Sequence, residues 1–220
     1  MTRSELAKLL DHSVLKPEAT EENILAGADL VRKWSIGFYC VQPSFVSTAA
    51  AGIQGSGARV VSVVGFPHGC ERSVVKARTA ELAVQDGAAE VDMVLNVGKL
   101  KSGRSQAVAS EVAQVVRAVP GIPVKVILET CLLTKEEKVI ACRMIKDAGA
   151  AFVTTSTGFN PGGGATAEDV RLMRATVGPD FGVKAAGGIR TLADALAMLD
   201  AGASRLGTSA SVAILSGLDS

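Results

Sequence analysis

The stretch Asp147-Ala148-Gly149-Ala150-Ala151-Phe152-Val153-Thr154-Thr155-Ser156-Thr157-Gly158-Phe159 decides how the chain reads. Asp147-Ala148-Gly149-Ala150 closes a helix, because glycine there can take the left-handed backbone that ends one. Phe152 to Thr155 reads as a short buried strand, and the strand runs into hydroxyls and Gly158 at its tip. The same closing element recurs as Asp86-Gly87-Ala88-Ala89 and Asp200-Ala201-Gly202-Ala203, each time just before an apolar run. Helix starts are marked by Thr134 with Glu137, Thr166 with Asp169 and Thr191 with Asp194. In each pair a capping hydroxyl stands three residues ahead of a carboxylate.

Working outward, short apolar runs occur at Phe38 to Val41, Val60 to Val64, Val91 to Leu95, Val124 to Leu128, Phe152 to Thr155, Val183 to Ala186 and Arg205 to Gly207. An eighth, weaker on pattern, lies around Leu10-Asp11-His12-Ser13. Strands alternating with amphipathic helices at this density imply parallel βαβ units. The predicted fold is therefore α/β, a single (β/α)8 TIM barrel over residues 1–220, each unit using somewhat under about 30 residues. A doubly wound open sheet is the alternative. Polar residues at the ends of several runs favour the barrel, which collects its functional groups from many strand tips. Gly162-Gly163-Gly164 reads as a flexible loop after one of these strands.

Composition fits that architecture. Apolar residues make up 48% of the chain and aromatics 4%, so Val, Ala, Leu and Ile must build the core. A net charge of +1 gives no long-range attraction to nucleic acid or to an anionic membrane. Cys40, Cys70, Cys131 and Cys142 form no CxxC pair, which suits free thiols in a reducing cytoplasm. His12 and His68, the two imidazoles, are not spaced with further ligands, so no metal site is expected. The first residues lack a signal-peptide core and no apolar run reaches membrane-spanning length, so a cytoplasmic location is expected.

Several residues could carry chemistry. In Glu90-Val91-Asp92-Met93-Val94-Leu95-Asn96, alternation sets Asp92 opposite Val91, Met93 and Leu95, so a carboxylate points at a strand face that is usually apolar. It is either half of a structural ion pair or a functional acid. Lys184 stands in Gly182-Val183-Lys184-Ala185-Ala186-Gly187-Gly188, where small residues leave space beside the amine. The Gly187-Gly188 turn lets backbone N–H groups approach an anion at the start of the next helix, although a plain tight turn would look the same. Gly207-Thr208-Ser209-Ala210 repeats the arrangement. Two small-residue turns in the last two βα units point to a phosphorylated ligand. Lys125 and Glu129 border one strand, and Asp11, Ser13 and Lys16 cluster at the first unit; rim polarity would account for them equally. Cys40 closes another strand and reads either as a small core residue or as part of the barrel mouth.

Taken together, Asp11 to Pro17, Val64-Gly65-Phe66-Pro67, Glu90 to Val94, Val124 to Cys131, Thr155-Ser156-Thr157-Gly158-Phe159, Gly182 to Thr191 and Gly207-Thr208-Ser209 resemble the deoxyribose-phosphate aldolase family in order and spacing. The resemblance implies a barrel that reversibly cleaves 2-deoxy-D-ribose 5-phosphate to glyceraldehyde 3-phosphate and acetaldehyde through a Schiff base. It implies no cofactor and no metal, a small phosphorylated sugar as the only ligand, and a homodimer. Carried over by position, Asp92 takes part in proton transfer, Lys184 tunes the reactive amine, and Gly158, Gly187, Gly188 and Ser209 contact phosphate. Asp11, Ser13 and Cys40 support the site from one layer further out.

The imine-forming lysine of that family falls on Thr154. A threonine alcohol cannot form an imine, so the resemblance implies an aldolase whose aldol cleavage is severely impaired or absent. The alternative is a non-enzymatic phosphosugar-binding barrel in which threonine is native. An isomerase or synthase on the same barrel would lack these particular contexts for Asp92 and Lys184, and no GxGxxG turn supports hydride transfer. Milder departures are Gln42 and His68, where the family has asparagine and leucine, and a tail, Ser216 to Ser220, without the terminal tyrosine of some members.

Overall fold

The computed structural model describes residues 1–218; Asp219 and Ser220, the end of the tyrosine-free tail, lie outside them. The elements run α1 (Arg3–Leu9), β1 (Leu10–Val14), α2 (Glu21–Lys33), β2 (Phe38–Val41), α3 (Val46–Gly52), β3 (Arg59–Val64), α4 (Ser73–Gln85) and β4 (Glu90–Val94). They continue with α5 (Val97–Lys101), α6 (Ser105–Ala118), β5 (Val124–Ile127), α7 (Lys135–Asp147), β6 (Phe152–Thr154), α8 (Ala167–Val177), β7 (Gly182–Ala186), α9 (Leu192–Asp200), β8 (Arg205–Thr208) and α10 (Ser211–Ser216). The strands form a closed parallel barrel in sequence order. Closure between β1 and β8, with Leu10 opposite Leu206 and Asp11 opposite Gly207, rules out the open sheet.

The weak strand around residues 10–13 is a full member of the barrel. Its apolar pattern is faint because Asp11 and Ser13 share the inward face, where an ordinary strand carries aliphatics. The other strands lie within a residue or two of the apolar runs.

The two faces of the barrel differ in chemistry. Tyr39, Val41, Val60, Val91, Met93, Val124, Val126, Val153, Val183 and Leu206 face outward and merge with the helices into one continuous core. Inside, only Phe38, Cys40, Val61 and Val63 form an apolar cluster, flanked by Leu15 and Phe66. Much of the remaining interior is charged.

The helices begin and end as their sequences dictate. Thr134 with Glu137 and Thr191 with Asp194 form reciprocal capping boxes, and Thr2 with Glu5 and Thr20 with Asn23 form two more. Thr166 makes only half of one. It accepts from the Asp169 N–H at 3.1 Å, while the Asp169 carboxylate is taken by Lys138 at 2.6 Å. Gly87, Gly149 and Gly202 have φ of 110°, 86° and 107°, the left-handed helix ends expected of them. Among the described residues no helix is long and apolar enough to cross a membrane.

His12 faces outward from β1, buried, with Nδ1 2.9 Å from the Ser211 hydroxyl and its ring stacked 6.1 Å from Tyr39. Burial pushes its pKa from 6.5 down to about 4, against the opposing pull of Asp11. Between those two values the unfolded chain binds the proton and the folded chain does not, so stability falls as pH drops through the window. His12→Gln should flatten this dependence by up to about 3 kcal/mol between pH 6.5 and 4, read as the wild-type minus variant difference in urea unfolding free energy.

Candidate active site

Residues opposite each other in a parallel ladder point to the same face, so the register decides which side chains meet inside. Asp92 lies opposite Lys125 and Thr154 opposite Lys184, while Asp11 lies opposite Gly207. The result is a column of alternating charge. Arg205 Nη1 donates to Glu90 Oε2 at 2.9 Å, and Lys125 Nζ contacts Glu90 Oε2 at 2.8 Å and Asp92 Oδ1 at 2.5 Å. Lys184 Nζ donates to Asp92 Oδ2 at 2.6 Å and to Asp11 Oδ2. At the closed end the Arg205 guanidinium sits 3.3 Å from the centroid of Phe38. Three cations and three carboxylates thus balance within the barrel.

This changes the expected picture around Asp92. Lys125, for which rim polarity was one of two readings, is fully buried and bonded to Asp92, so two amines flank that carboxylate. The two ammoniums outweigh the cost of burying Asp92 and hold its carboxyl below the usual range. Burial works against the charge on Lys184, but Asp11 and Asp92 overcome it and raise its pKa well above that of an ordinary lysine. The two carboxylates around Nζ thus favour the ammonium form of Lys184. Cys40 is buried beside the column, and burial, with the two nearby carboxylates, keeps its thiol protonated.

The column ends in a cavity of about 720 Å³ at the C-terminal mouth of the barrel. Asp11, Ser13, Cys40, Asp92, Thr154 and Lys184 line its deep part. Gly158, Gly187, Gly188 and Ser209 line its outer part. The structure thus brings all the proposed site residues around one space. Lys16 also reaches that space but is exposed, 3.9 Å from Glu18. Gly207 makes room for Lys184, since a Cβ there would lie 2.9 Å from Lys184 Cε.

The glycines of the mouth pack backbone against backbone. A Cβ on Gly187, whose φ is +88°, would come within 3.2 Å of the Cα atoms of Gly158 and Gly164. Ala165 N donates to Gly187 O at 3.0 Å. Gly164, the last residue of the Gly162-Gly163-Gly164 loop, therefore packs on the Gly187 turn, while a Cβ on Gly163 would meet nothing within 4 Å. The start of α9 is already satisfied, because Arg190 N and Thr191 N donate to Asp194 Oδ2 at 3.0 and 2.9 Å.

Glu129 holds the opposite wall. It follows β5 with a left-handed backbone, φ 56°, and its buried carboxylate accepts from Thr157 N at 3.2 Å and from the Thr157 hydroxyl. Thr157 Oγ1 in turn accepts from Phe159 N at 3.1 Å. Burial pushes the Glu129 carboxyl up, partly offset by these bonds. Phe159 packs edge-on against Phe66 at the rim, with centroids 5.1 Å apart.

Sequence reasoning missed the weight of Lys125 and Glu129, and for Lys125 a signal was present. Lys125 alternates with Val124, Val126 and Leu128 just as Asp92 alternates with Val91, Met93 and Leu95. The argument that turned Asp92 inward applies unchanged to Lys125. Lys125→Met should cost about 3–5 kcal/mol in urea unfolding, because Glu90 and Asp92 lose the cation between them.

Comparison with known proteins agrees with this geometry. The family model described as DeoC/LacD family aldolase matches residues 6–217. The deoxyribose-phosphate aldolase of Streptococcus sanguinis (strain SK36) is 54% identical over 212 residues, 96% of each chain. That of Streptococcus pneumoniae serotype 19F (strain G54) is 52% identical over the same shares. The tetrameric deoxyribose phosphate aldolase from Aeropyrum pernix superposes with a TM-score of 0.91 at 31% identity, covering 100% of this chain and 93% of that one. With its closed eight-stranded barrel and the polar column at its centre, the chain belongs to the DeoC/LacD family of aldolases.

Proposed function

We propose that this chain keeps the phosphosugar site of a deoxyribose-phosphate aldolase and lacks the step that forms the imine. The observation that carries the reading is Thr154, which stands on β6 directly opposite Lys184, at the position the resemblance gives to the reactive lysine. Of the two amines buried in the barrel, Lys184 is clamped by Asp11 and Asp92, and Lys125 lies between Glu90 and Asp92. The substrate is 2-deoxy-D-ribose 5-phosphate, its phosphate at Gly158, Gly187, Gly188 and Ser209, its carbonyl end toward Asp92 and Lys184. Asp11, Ser13 and Cys40 shape the surroundings. The chain works as one domain over residues 1–220, as a cytoplasmic homodimer.

The charge balance of the column explains why an amine at position 154 would react. The column is neutral with threonine, so an added ammonium would leave it with a net positive charge. Two ammoniums about 4 Å apart at an effective dielectric of about 20 repel by about 4 kcal/mol, which lowers the newcomer by about three pKa units. A neutral amine then attacks the aldehyde, the resulting imine withdraws electrons from the carbon bond being broken, and Asp92 with a water moves the protons.

Acetaldehyde with borohydride should leave this protein without a reduced adduct in peptide mass mapping, and cleavage of 2-deoxyribose 5-phosphate should be severely impaired. Thr154→Lys should give the adduct at position 154 and strong aldolase turnover. A reduced adduct on Lys184 together with turnover would overturn the proposal. A folded Thr154→Lys protein without activity would support a non-enzymatic phosphosugar-binding barrel instead.

A further inference from the structure

A second buried ion group lies outside the barrel, apart from the column. Lys76, at the start of α4, is fully buried, and its Nζ donates to Glu111 Oε1 at 2.7 Å and to the carbonyl oxygens of Gly69 and Val94, each at 2.8 Å. An ammonium carries three N–H donors, so all of them are used. Burial pulls the Lys76 pKa below that of an ordinary lysine, and Glu111 pulls it back. An ion pair between α4 and α6 would need only the bond to Glu111. The other two bonds go to backbone of segments that meet at the barrel mouth. Val94 ends β4, two residues past Asp92, and Gly69 lies in the loop that follows β3.

The same side chain supports the beginning of that loop. A Cβ on Gly65 would lie 2.8 Å from Lys76 Cε, and Gly69 N donates to Gly65 O at 2.7 Å. Between these two glycines stands Phe66, which lines the cavity and meets Phe159 edge-on. The loop carrying Phe159 has its own anchor, through Thr157 to Glu129.

We propose that Lys76 is a positioning residue, which from outside the barrel fixes the loop after β3 so that Phe66 stands as an apolar wall against the sugar. The proposal rests on the phosphosugar reading above and deepens it. Lys76 touches no ligand and acts through Phe66. Without the ammonium, Gly69 O recovers a donor by turning to water, which is close because His68 and Cys70 on either side are exposed, and Phe66 moves with it. The phosphate end of the site keeps the Glu129 anchor.

The test compares this protein with a Lys76→Met, Glu111→Leu double variant, which removes both charges together and fills their space, an exchange that is often neutral for stability. Each is titrated calorimetrically with 2-deoxyribose 5-phosphate and with inorganic phosphate. The double variant should lose about five- to tenfold in affinity for the sugar phosphate and keep its affinity for inorganic phosphate, because an apolar wall contributes to burying the sugar alone. Phe66→Ala should do the same, and adding it to the double variant should cost little more, since both changes remove one contact. Exchange of the Gly69 amide hydrogen should quicken about tenfold or more in the double variant, a local change that global stability does not produce. An unchanged ratio of the two affinities, or losses that multiply with Phe66→Ala, would overturn the positioning role while sparing the phosphosugar reading. Should the double variant fail to fold, Phe66→Ala decides, and undiminished affinity for the sugar phosphate would overturn the role. Failure of the unaltered protein to bind either ligand would overturn the role and the phosphosugar reading together.

Discussion

The ion column from Arg205 to Asp11 is the constraint on which the rest of the molecule depends. Charged groups are expensive to bury, and a run of them is tolerated only when each finds a partner of opposite sign with good geometry. Here every carboxylate of the column touches at least one cation; Lys184 bridges two carboxylates, and Lys125 bridges Glu90 and Asp92 with Asp11 at 4.0 Å. The barrel interior is thereby split into an apolar quadrant around Phe38, Cys40, Val61 and Val63 and a polar axis that opens into the cavity. Asp92 is held ionised by its neighbours, and Lys184 is held protonated by its own.

The sequence made the barrel legible because the outward faces of the strands are mostly aliphatic and the helix ends carry glycines and capping threonines. It also made Asp92 and Lys184 legible, since each interrupts an apolar pattern. What it left obscure was pairing across strands. Lys125 belongs to the column only because β5 lies beside β4 with Lys125 opposite Asp92, and no spacing along the chain expresses that neighbourhood. Glu129 was obscure for another reason: its role depends on a left-handed backbone that non-glycine residues seldom adopt, so strand periodicity ends before reaching it.

The mouth of the barrel follows the same logic with backbone in place of charge. Gly158, Gly164 and Gly187 meet at distances that exclude side chains, so the loops after β6 and β7 pack backbone against backbone. Glu129 fixes one of these loops through Thr157, and the capping box of α9 fixes the end of another. Recognition of an anion by such a surface needs no clustered arginines, which suits a chain with net charge close to zero.

Asp11 and Lys184 are 173 residues apart, yet the ammonium of one lies against the carboxylate of the other. That contact forms only once the first strand and the last strand have met, because β8 stands between β7 and β1. No partly assembled barrel can therefore contain the site, and a growing chain acquires it in the final act of closure. A ligand held there bridges the beginning and the end of the polypeptide and binds only the finished fold, so by mass action it also draws the chain toward completion.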